Sequence, residues 1–255
     1  MDALIGHSGF VGASLLRQRH FDAMFRSTDI GGITARRFDT VICAGISATK
    51  WLANRESRAD LAAIDRLRDA LEGVECRRFV LVSTVDVFAR PIGVDESSTP
   101  DATEAYGRHR LDFERWARDR FPTSVVRLAG LVGPGLKKNA LYDLAHGHRL
   151  EQLDPRAVFQ FYPMVNLWAD LQVVLEAGLG LVHLTAEPLA LGDIARDAFG
   201  RELSVPEPAT GGEPPRYDLR SRHAGLFDGR DGYGYSARES MLAIRAYAQS
   251  LRCPP

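Results

Sequence analysis

Cysteine is nearly absent: Cys43, Cys76 and Cys253 are the only three in 255 residues, odd in number and far apart. They make neither a disulfide framework nor a zinc-ligand pattern, and the expectation is ordinary thiols in a reducing cytoplasm. An excess of charge is missing too. With 32 basic against 33 acidic side chains and a net charge of -1, nothing in the composition recruits a nucleic acid or an anionic membrane surface. No apolar run approaches the roughly 18 residues that a membrane-spanning helix needs. The opening Met1-Asp2-Ala3-Leu4-Ile5-Gly6 has no basic stretch ahead of an apolar one and does not read as a signal peptide. The histidines show no metal-ligand spacing, so no metal site is expected. Internal repeats and low-complexity tracts are lacking as well. What remains, 45% hydrophobic and 25% charged, is the composition of a soluble globular protein with one large core or a core plus a small appendage.

Short apolar runs alternate with amphipathic stretches. Strands are expected at 3–6, 23–27, 40–44, 79–84, 124–128 and 181–185, and helices at 10–19, 58–72, 104–120, 165–176, 191–199 and 236–251. The strand runs are rich in Val, Ile, Leu and Phe, as parallel strands covered on both faces must be. In the second helix Leu61, Ile64, Leu67 and Leu71 recur at helical spacing against Asp60, Arg66 and Arg68. This alternation predicts an α/β fold around a doubly wound parallel sheet. Between 29 and 37, Ile30-Gly31-Gly32-Ile33 puts a short loop where a helix would otherwise stand. Gly133-Pro134-Gly135 breaks the periodicity, and Ser204–Pro215, with its prolines and glycines, reads as an irregular surface excursion. The expected division is a dinucleotide-binding part at 1–135 and 163–200 and a small substrate-binding part at 136–162 and 201–255.

Gly6-His7-Ser8-Gly9-Phe10-Val11-Gly12 follows the first strand and opens the first helix. A diphosphate that is to reach backbone N–H groups at a helix N-terminus needs glycine there, because side chains would block its approach. Three glycines alone also suit a tight strand-to-helix turn; the strand before and the helix after favour a dinucleotide. An acidic residue closing the second strand would bond a free ribose hydroxyl, whereas Arg accommodates a 2′-phosphate. Here Arg26, Ser27 and Thr28 come first, and Asp29 serves NAD only if the strand runs three residues further. NADP is the expected cofactor, with NAD the alternative.

Val82-Ser83-Thr84-Val85-Asp86 carries hydroxyls at the C-terminal end of a strand, the edge where open parallel sheets bind ligands. Tyr106 and Arg110 lie four apart on a helix and so share a face. A cation beside a tyrosine lowers its pKa and suits it to exchange protons with a carbonyl or alcohol. Asp86, two residues past Thr84, is expected on the same side by strand alternation, either as an additional base or as a loop cap paired with Arg90.

These stretches together resemble the extended short-chain dehydrogenase/reductases, the NAD(P)-dependent epimerase/dehydratase family. The resemblance runs over nearly the whole chain. It rests on the Gly6–Gly12 loop, on Ser83–Phe88 against Ser-Ser/Thr-x-x-Val-Tyr, on Tyr106–Arg110 against Tyr-x-x-x-Lys, and on Arg127–Gly135 against Arg-Pro-x-x-x-x-Gly-Pro-Gly. It implies a Rossmann fold, Thr84 as the catalytic hydroxyl, Tyr106 as acid/base, and Arg110 as the cation holding the nicotinamide ribose. Gly6, Ser8, Gly9, Phe10, Val11 and Gly12 would cradle the pyrophosphate. Arg26 and Ser27 would meet the adenosine end, with Ala44, Gly45, Ser83 and Ala129 lining the rest. Asp86, Lys137, Asn139, Gln160 and Tyr162 fall where relatives contact the sugar. Arg110 and Ala129 depart from the family's Lys and Pro. The reductase branch, typified by dTDP-4-dehydrorhamnose reductase and GDP-fucose synthase, is the most similar in style, which implies a sugar or nucleotide-sugar substrate and a homodimer formed through helices 58–72 and 104–120. Two other readings stay open: a non-catalytic dinucleotide-binding regulator, and a reductase of small non-nucleotide carbonyls.

Overall fold

The computed structural model describes residues 1–206 and 213–251. Cys253 and much of the expected excursion at Ser204–Pro215 lie outside the described residues.

In chain order the strands are β1 (Asp2–Ile5), β2 (Ala23–Phe25), β3 (Arg37–Cys43), β4 (Glu75–Thr84), β5 (Ile92–Val94), β6 (Thr123–Leu128), β7 (Gly130–Val132), β8 (Val158–Phe159), β9 (Phe161–Pro163), β10 (Leu181–Leu184), β11 (Leu189–Ala190) and β12 (Asp218–Leu219). The helices are α1 (Phe10–Gln18), α2 (Lys50–Arg55), α3 (Ser57–Leu71), α4 (Ala105–Arg120), α5 (Ala140–His146), α6 (Leu167–Glu176), α7 (Leu191–Ile194) and α8 (Ala237–Ser250). The expected α/β class holds: six strands form one sheet in the order β10-β6-β4-β3-β1-β2. Its β1–β2, β1–β3 and β3–β4 pairs are parallel.

The chain divides into two compact units. The first comprises Met1–Ala89, Ser98–Arg127 and Leu167–Val182; the second comprises Arg90–Ser97, Leu128–Asn166 and His183–Pro255. The second therefore takes up chain at Leu128, earlier than the expected break at 135, and includes residues 183–200.

In the first unit the sheet is buried on both sides. Ala3, Ile5, Val41, Cys43, Phe79 and Leu81 pack in one core cluster with Ile64, Leu67 and Leu71 of α3 and with Phe113 and Ala117 of α4. The alternate residues Leu4, Ile42 and Val80 are as fully buried, as a strand with two covered faces requires. Phe79 stacks on Phe121 with ring centroids 4.6 Å apart. Glu114 of α4 and Arg127 of β6, each 3% exposed at the side chain, form a buried ion pair at 2.6 Å. Glu114 also accepts a bond from the Ser83 hydroxyl. Ser83, expected near a cofactor, thus ties the end of β4 to α4.

After β2 the chain makes only one 3₁₀ turn, Ile30–Ile33, as the two glycines there suggested. Helix α2, six residues long, has no counterpart in the sequence reading.

The second unit is built from three two-stranded pieces, β7–β9, β8–β11 and β5–β12, and from α5, α7 and α8. Ser236 caps α8 in a reciprocal capping box with Glu239. Gln160, 1% exposed, donates to the carbonyls of Ala186 (2.7 Å) and Leu219 (2.8 Å) and accepts from the Leu219 amide at 2.7 Å. Tyr162, also 1% exposed, packs edge-on against Tyr235. Asn139 caps α5, accepting from the Leu141 and Tyr142 amides and donating to the Leu131 carbonyl. These three expected sugar contacts have structural tasks instead: each side chain is spent inside the unit. Lys137 is exposed beside the α5 cap. Arg220 pairs with Asp218 at 3.0 Å, so the late basic cluster is locally neutralised.

Candidate active site

Strand order places the glycine loop. From β1 the chain passes to β2 on one side and then to β3 on the other, so the sheet reverses its winding between β1 and β3. Ligands of open parallel sheets bind at such a switch point, beyond the carboxyl ends of the strands. Gly6 follows β1 there, Ala44 and Gly45 follow β3, and Thr84 ends β4 at the same edge.

The loop needs its glycines for close backbone approach. Gly6 has φ +86°, and a Cβ on it would stand 2.3 Å from the Ala44 carbonyl oxygen; one on Gly12 would stand 2.2 Å from the Gly6 oxygen. Gly9 is the N-cap of α1, no side chain bonds to that helix start, and its first turn carries no acid. Phe10 and Val11 are the first helical residues, and Ser8 is exposed beside them. A nine-residue helix that starts on glycine, without side-chain caps, offers its first amides and the positive end of its dipole to an anion. The residues present therefore fit a diphosphate.

At the end of β2 the Arg26 amide donates to Asp29 at 2.7 Å, and the Arg26 side chain lies 3.5 Å from the same carboxylate, both about half exposed. Asp29 is folded back on Arg26 and does not extend β2, and Ser27 is exposed between them.

The hydroxyl cluster is built by a turn and a helix. Thr84 caps the 3₁₀ turn Val85–Val87, accepting from the Asp86 amide at 3.1 Å and donating to Asp86 Oδ2 at 3.2 Å. Asp86 is beside Thr84 because of this cap; the strand alternation used to predict it has already ended. Its partner is Lys50 of α2, with Nζ 2.6 Å from Oδ1, where the sequence had offered Arg90. Helix α4 approaches closely: a Cβ on Gly107 would fall 2.0 Å from the Asp86 carbonyl oxygen. Gly107→Ala should force the two apart and cost at least the 1–3 kcal/mol typical of overpacking, read as a lower thermal midpoint. The Tyr106 amide, at the start of α4, donates to Asn54 of α2 at 2.9 Å, satisfying one of the orphan donors of that helix end.

Tyr106 is 6% exposed and its hydroxyl is hydrogen-bonded with Thr84. The expectation of a lowered pKa is overturned. Burial raises it above the ordinary tyrosine value, and the Arg110 charge, the Thr84 bond and Lys50 offset this only in part, while Asp86 adds to it. Tyr106 is accordingly a neutral phenol at physiological pH.

Arg110 also differs from expectation. It is 3% exposed, with its guanidinium 3.9 Å from the centroid of the Tyr106 ring. Nη2 donates to Asp60 Oδ1 at 2.9 Å and to the Ser47 carbonyl at 2.6 Å; Nη1 donates to Asp60 Oδ2 and, at 3.2 Å, to the Tyr106 carbonyl. His109 adds a 2.8 Å contact to the same carboxylate. Burial works to raise the Asp60 carboxyl, but the Arg110 and His109 bonds outweigh it and hold its pKa below the ordinary value. The arginine that was to grip a ribose is instead clamped between two helices, its charge answered by Asp60.

The structure thus brings Thr84, Asp86, Tyr106 and Arg110 into one cluster, and sequence reasoning missed Lys50, Asn54 and Asp60. Only Asp60 left a signal, as an acid on the helix expected to pack beside α4. Ala129, Lys137, Asn139, Gln160 and Tyr162 belong to the second unit. Among the described residues no group of His, Cys, Asp and Glu could hold a metal, and no helix is long and apolar enough to cross a membrane.

No protein-family profile matches the sequence, and no curated relative is detected. Solved structures do match. A dTDP-4-dehydrorhamnose reductase from Clostridium acetobutylicum is 18% identical with a TM-score of 0.73, covering 99% of this chain and 100% of that one. RMD from Pseudomonas aeruginosa, complexed with NADPH, is 19% identical at TM-score 0.73, over 98% and 99%. The Bordetella bronchiseptica enzyme WbmG, in complex with NAD and UDP, is 16% identical at TM-score 0.74, over 98% and 94%. Over its length the chain has the fold of these extended short-chain dehydrogenase/reductase enzymes.

Proposed function

We propose that the protein is an NAD(P)-dependent oxidoreductase or epimerase acting on a sugar, nucleotide-linked as in the structural neighbours. The observation that carries this reading is the placement of a Thr84–Tyr106 hydroxyl pair and a glycine-rich helix start on the same edge of one parallel sheet. A nicotinamide dinucleotide supplies or takes up hydride when bound. Gly6, Gly9, Gly12 and the first amides of α1 would hold its diphosphate, with Ala44 and Gly45 beside it. Tyr106, a neutral phenol in a dry setting, gives its proton to a carbonyl oxygen on reduction and recovers one from an alcohol in the reverse direction. Thr84 holds that oxygen in place. The substrate-binding role expected of 136–162 and 201–255 belongs to this proposal, as do a cytoplasmic location and a homodimer through α3 and α4.

The engagement of Asp29 by Arg26 supports NADP over NAD. An exposed pair of this kind is worth at most about 1 kcal/mol, so Arg26 can exchange Asp29 for a phosphate. Fluorescence titration should show tighter binding of NADPH than NADH, and Arg26→Ala should shrink the difference. A wild-type preference for NADH would refute the assignment.

One observation favours a second reading, a dinucleotide-binding regulator without turnover: the capture of Arg110 by Asp60. A protein that binds NADPH, and whose Tyr106→Phe variant differs from wild type in no reaction, would be that regulator.

A further inference from the structure

Lysine is scarce in this chain. Lys50, Lys137 and Lys138 are the only three among 32 basic residues, and Lys50 is the only one before residue 137. Elsewhere in the first unit arginine serves wherever a cation is needed. It does so in the position one helical turn beyond Tyr106, and there the structure shows the consequence: Arg110 forms a two-point bond with Asp60 and lies over the face of the Tyr106 ring. Its charge is fixed and compensated, away from the hydroxyl end.

The hydroxyl end faces a different cation. Lys50 Nζ bonds Asp86 Oδ1 at 2.6 Å, Asp86 Oδ2 accepts from Thr84, and Thr84 is bonded to the Tyr106 hydroxyl. An unbroken line of hydrogen bonds therefore runs from the ammonium to the phenol. The Lys50 side chain is 47% exposed and that of Asp86 19%, so the pair stands at the open side of the cluster, whereas Arg110 and Asp60 are sealed.

We propose that Lys50 is the cation that sets the proton affinity of Tyr106 in this protein, acting as a positioning residue through Asp86 and Thr84. The proposal rests on the Tyr106 acid/base reading above. Without an ammonium on Oδ1, Asp86 is an unanswered anion two hydrogen bonds from the phenol, and it opposes phenolate formation. With Lys50 in place the pair is close to neutral, and Thr84 is held where it can stabilise the oxygen of Tyr106. The groups facing Tyr106 are then Thr84 from β4, Asp86 from the following turn, Lys50 from α2 and Arg110 from its own helix, the last neutralised by Asp60 of α3. Among these cations Lys50 is the exposed one. A compact ammonium on a flexible stem suits such a position better than a planar guanidinium. As a stabilising contact the pair would be nearly worthless, since exposed ion pairs contribute about 0–1 kcal/mol; its value is in the charge it places.

The test titrates Tyr106 itself, before any substrate is known. Incorporating 3,5-difluorotyrosine makes the phenols acidic enough to titrate in the folded protein, and Tyr106→Phe identifies the ¹⁹F signal among seven tyrosines. In Lys50→Met the Tyr106 midpoint should rise by about half a unit or more, as loss of a nearby cation requires. Lys50→Arg should return it to the wild-type value, and in an Asp86→Asn background Lys50→Met should move it much less. A Lys50→Met midpoint equal to wild type overturns the proposal, as does a shift that Arg does not reverse or one undiminished in Asp86→Asn. NADPH titration of the same samples checks the dinucleotide reading separately: no binding, with the midpoint shift intact, would sink that reading and leave the Lys50 assignment standing.

Discussion

Tyr106→Phe should lower turnover by about 100- to 10,000-fold, the range over which a general acid/base contributes, while NADPH affinity stays close to wild type. The expectation follows from where the hydroxyl is. The ring packs under Arg110 and the helix start is fixed by Asn54 and Gly107, none of which uses the phenol oxygen. Phe keeps the ring and removes only the group bonded to Thr84. The raised pKa gives the effect a direction: a neutral phenol is ready to donate, so the loss should be clearest for carbonyl reduction near neutral pH. Steady-state kinetics and a parallel titration with NADPH separate the two quantities. An equal fall in affinity would mean that the substitution disturbs the fold around α4, and full activity would transfer the acid/base role to Asp86.

Asp60→Ala should be the most damaging single change to stability around the site, at about 3–5 kcal/mol. Arg110 would keep only two carbonyl partners while its charge stayed buried, and its Nε already has no hydrogen-bond partner. Removing one member of a buried pair costs more than replacing both, because the survivor keeps its desolvation penalty. Asp60→Ala combined with Arg110→Met should therefore lose less stability than Asp60→Ala alone. Urea unfolding of the wild type, the single and the double variant measures this; a double variant as unstable as the single would show that the pair contributes no coupling. The sign with pH also follows. The Asp60 carboxyl lies below its unfolded value, so its contribution is complete above about pH 4, where the unfolded carboxylate is ionised, and is lost as acid titrates the folded group.

How much of this could be read in advance differs between the two units. The sheet strands of the first unit are continuous apolar runs, and β1, β3, β4 and β6 match them, because both faces of each strand must exclude water. The sequence reading cut β3 and β4 short at their amino ends, where Arg37 and Glu75-Cys76-Arg77-Arg78 pair in register but lie outside the apolar stretch. Helix α2 was invisible: Lys50-Trp51-Leu52-Ala53-Asn54-Arg55 is shorter than two turns and buries only Ala53, too little to impose a helical period. The second unit's strands are two or three residues long, below the reach of any alternation rule, so Gln160 and Tyr162 could not be recognised as interior residues.

The candidate site shows the same limit. Glycine positions, the strand-end hydroxyl and a tyrosine on a helix are local patterns and were legible. Partners 36 and 50 residues away, Lys50 for Asp86 and Asp60 for Arg110, are set by how α2, α3 and α4 assemble. The tyrosine's pKa direction was misjudged for that reason. The sequence showed a cation one turn away; the structure adds the burial that outweighs it and the carboxylate that neutralises it.

The central claim, that this sheet edge performs hydride chemistry on a nucleotide-linked sugar, is tested most directly by following reduced nicotinamide absorbance while the purified protein and NADPH meet a panel of dTDP-, UDP- and GDP-linked 4-keto-hexoses. The account predicts that at least one of them is reduced, with NADPH consumed in equal amount and the rate dependent on Tyr106. Saturable NADPH binding with no oxidation by any member of the panel would contradict it.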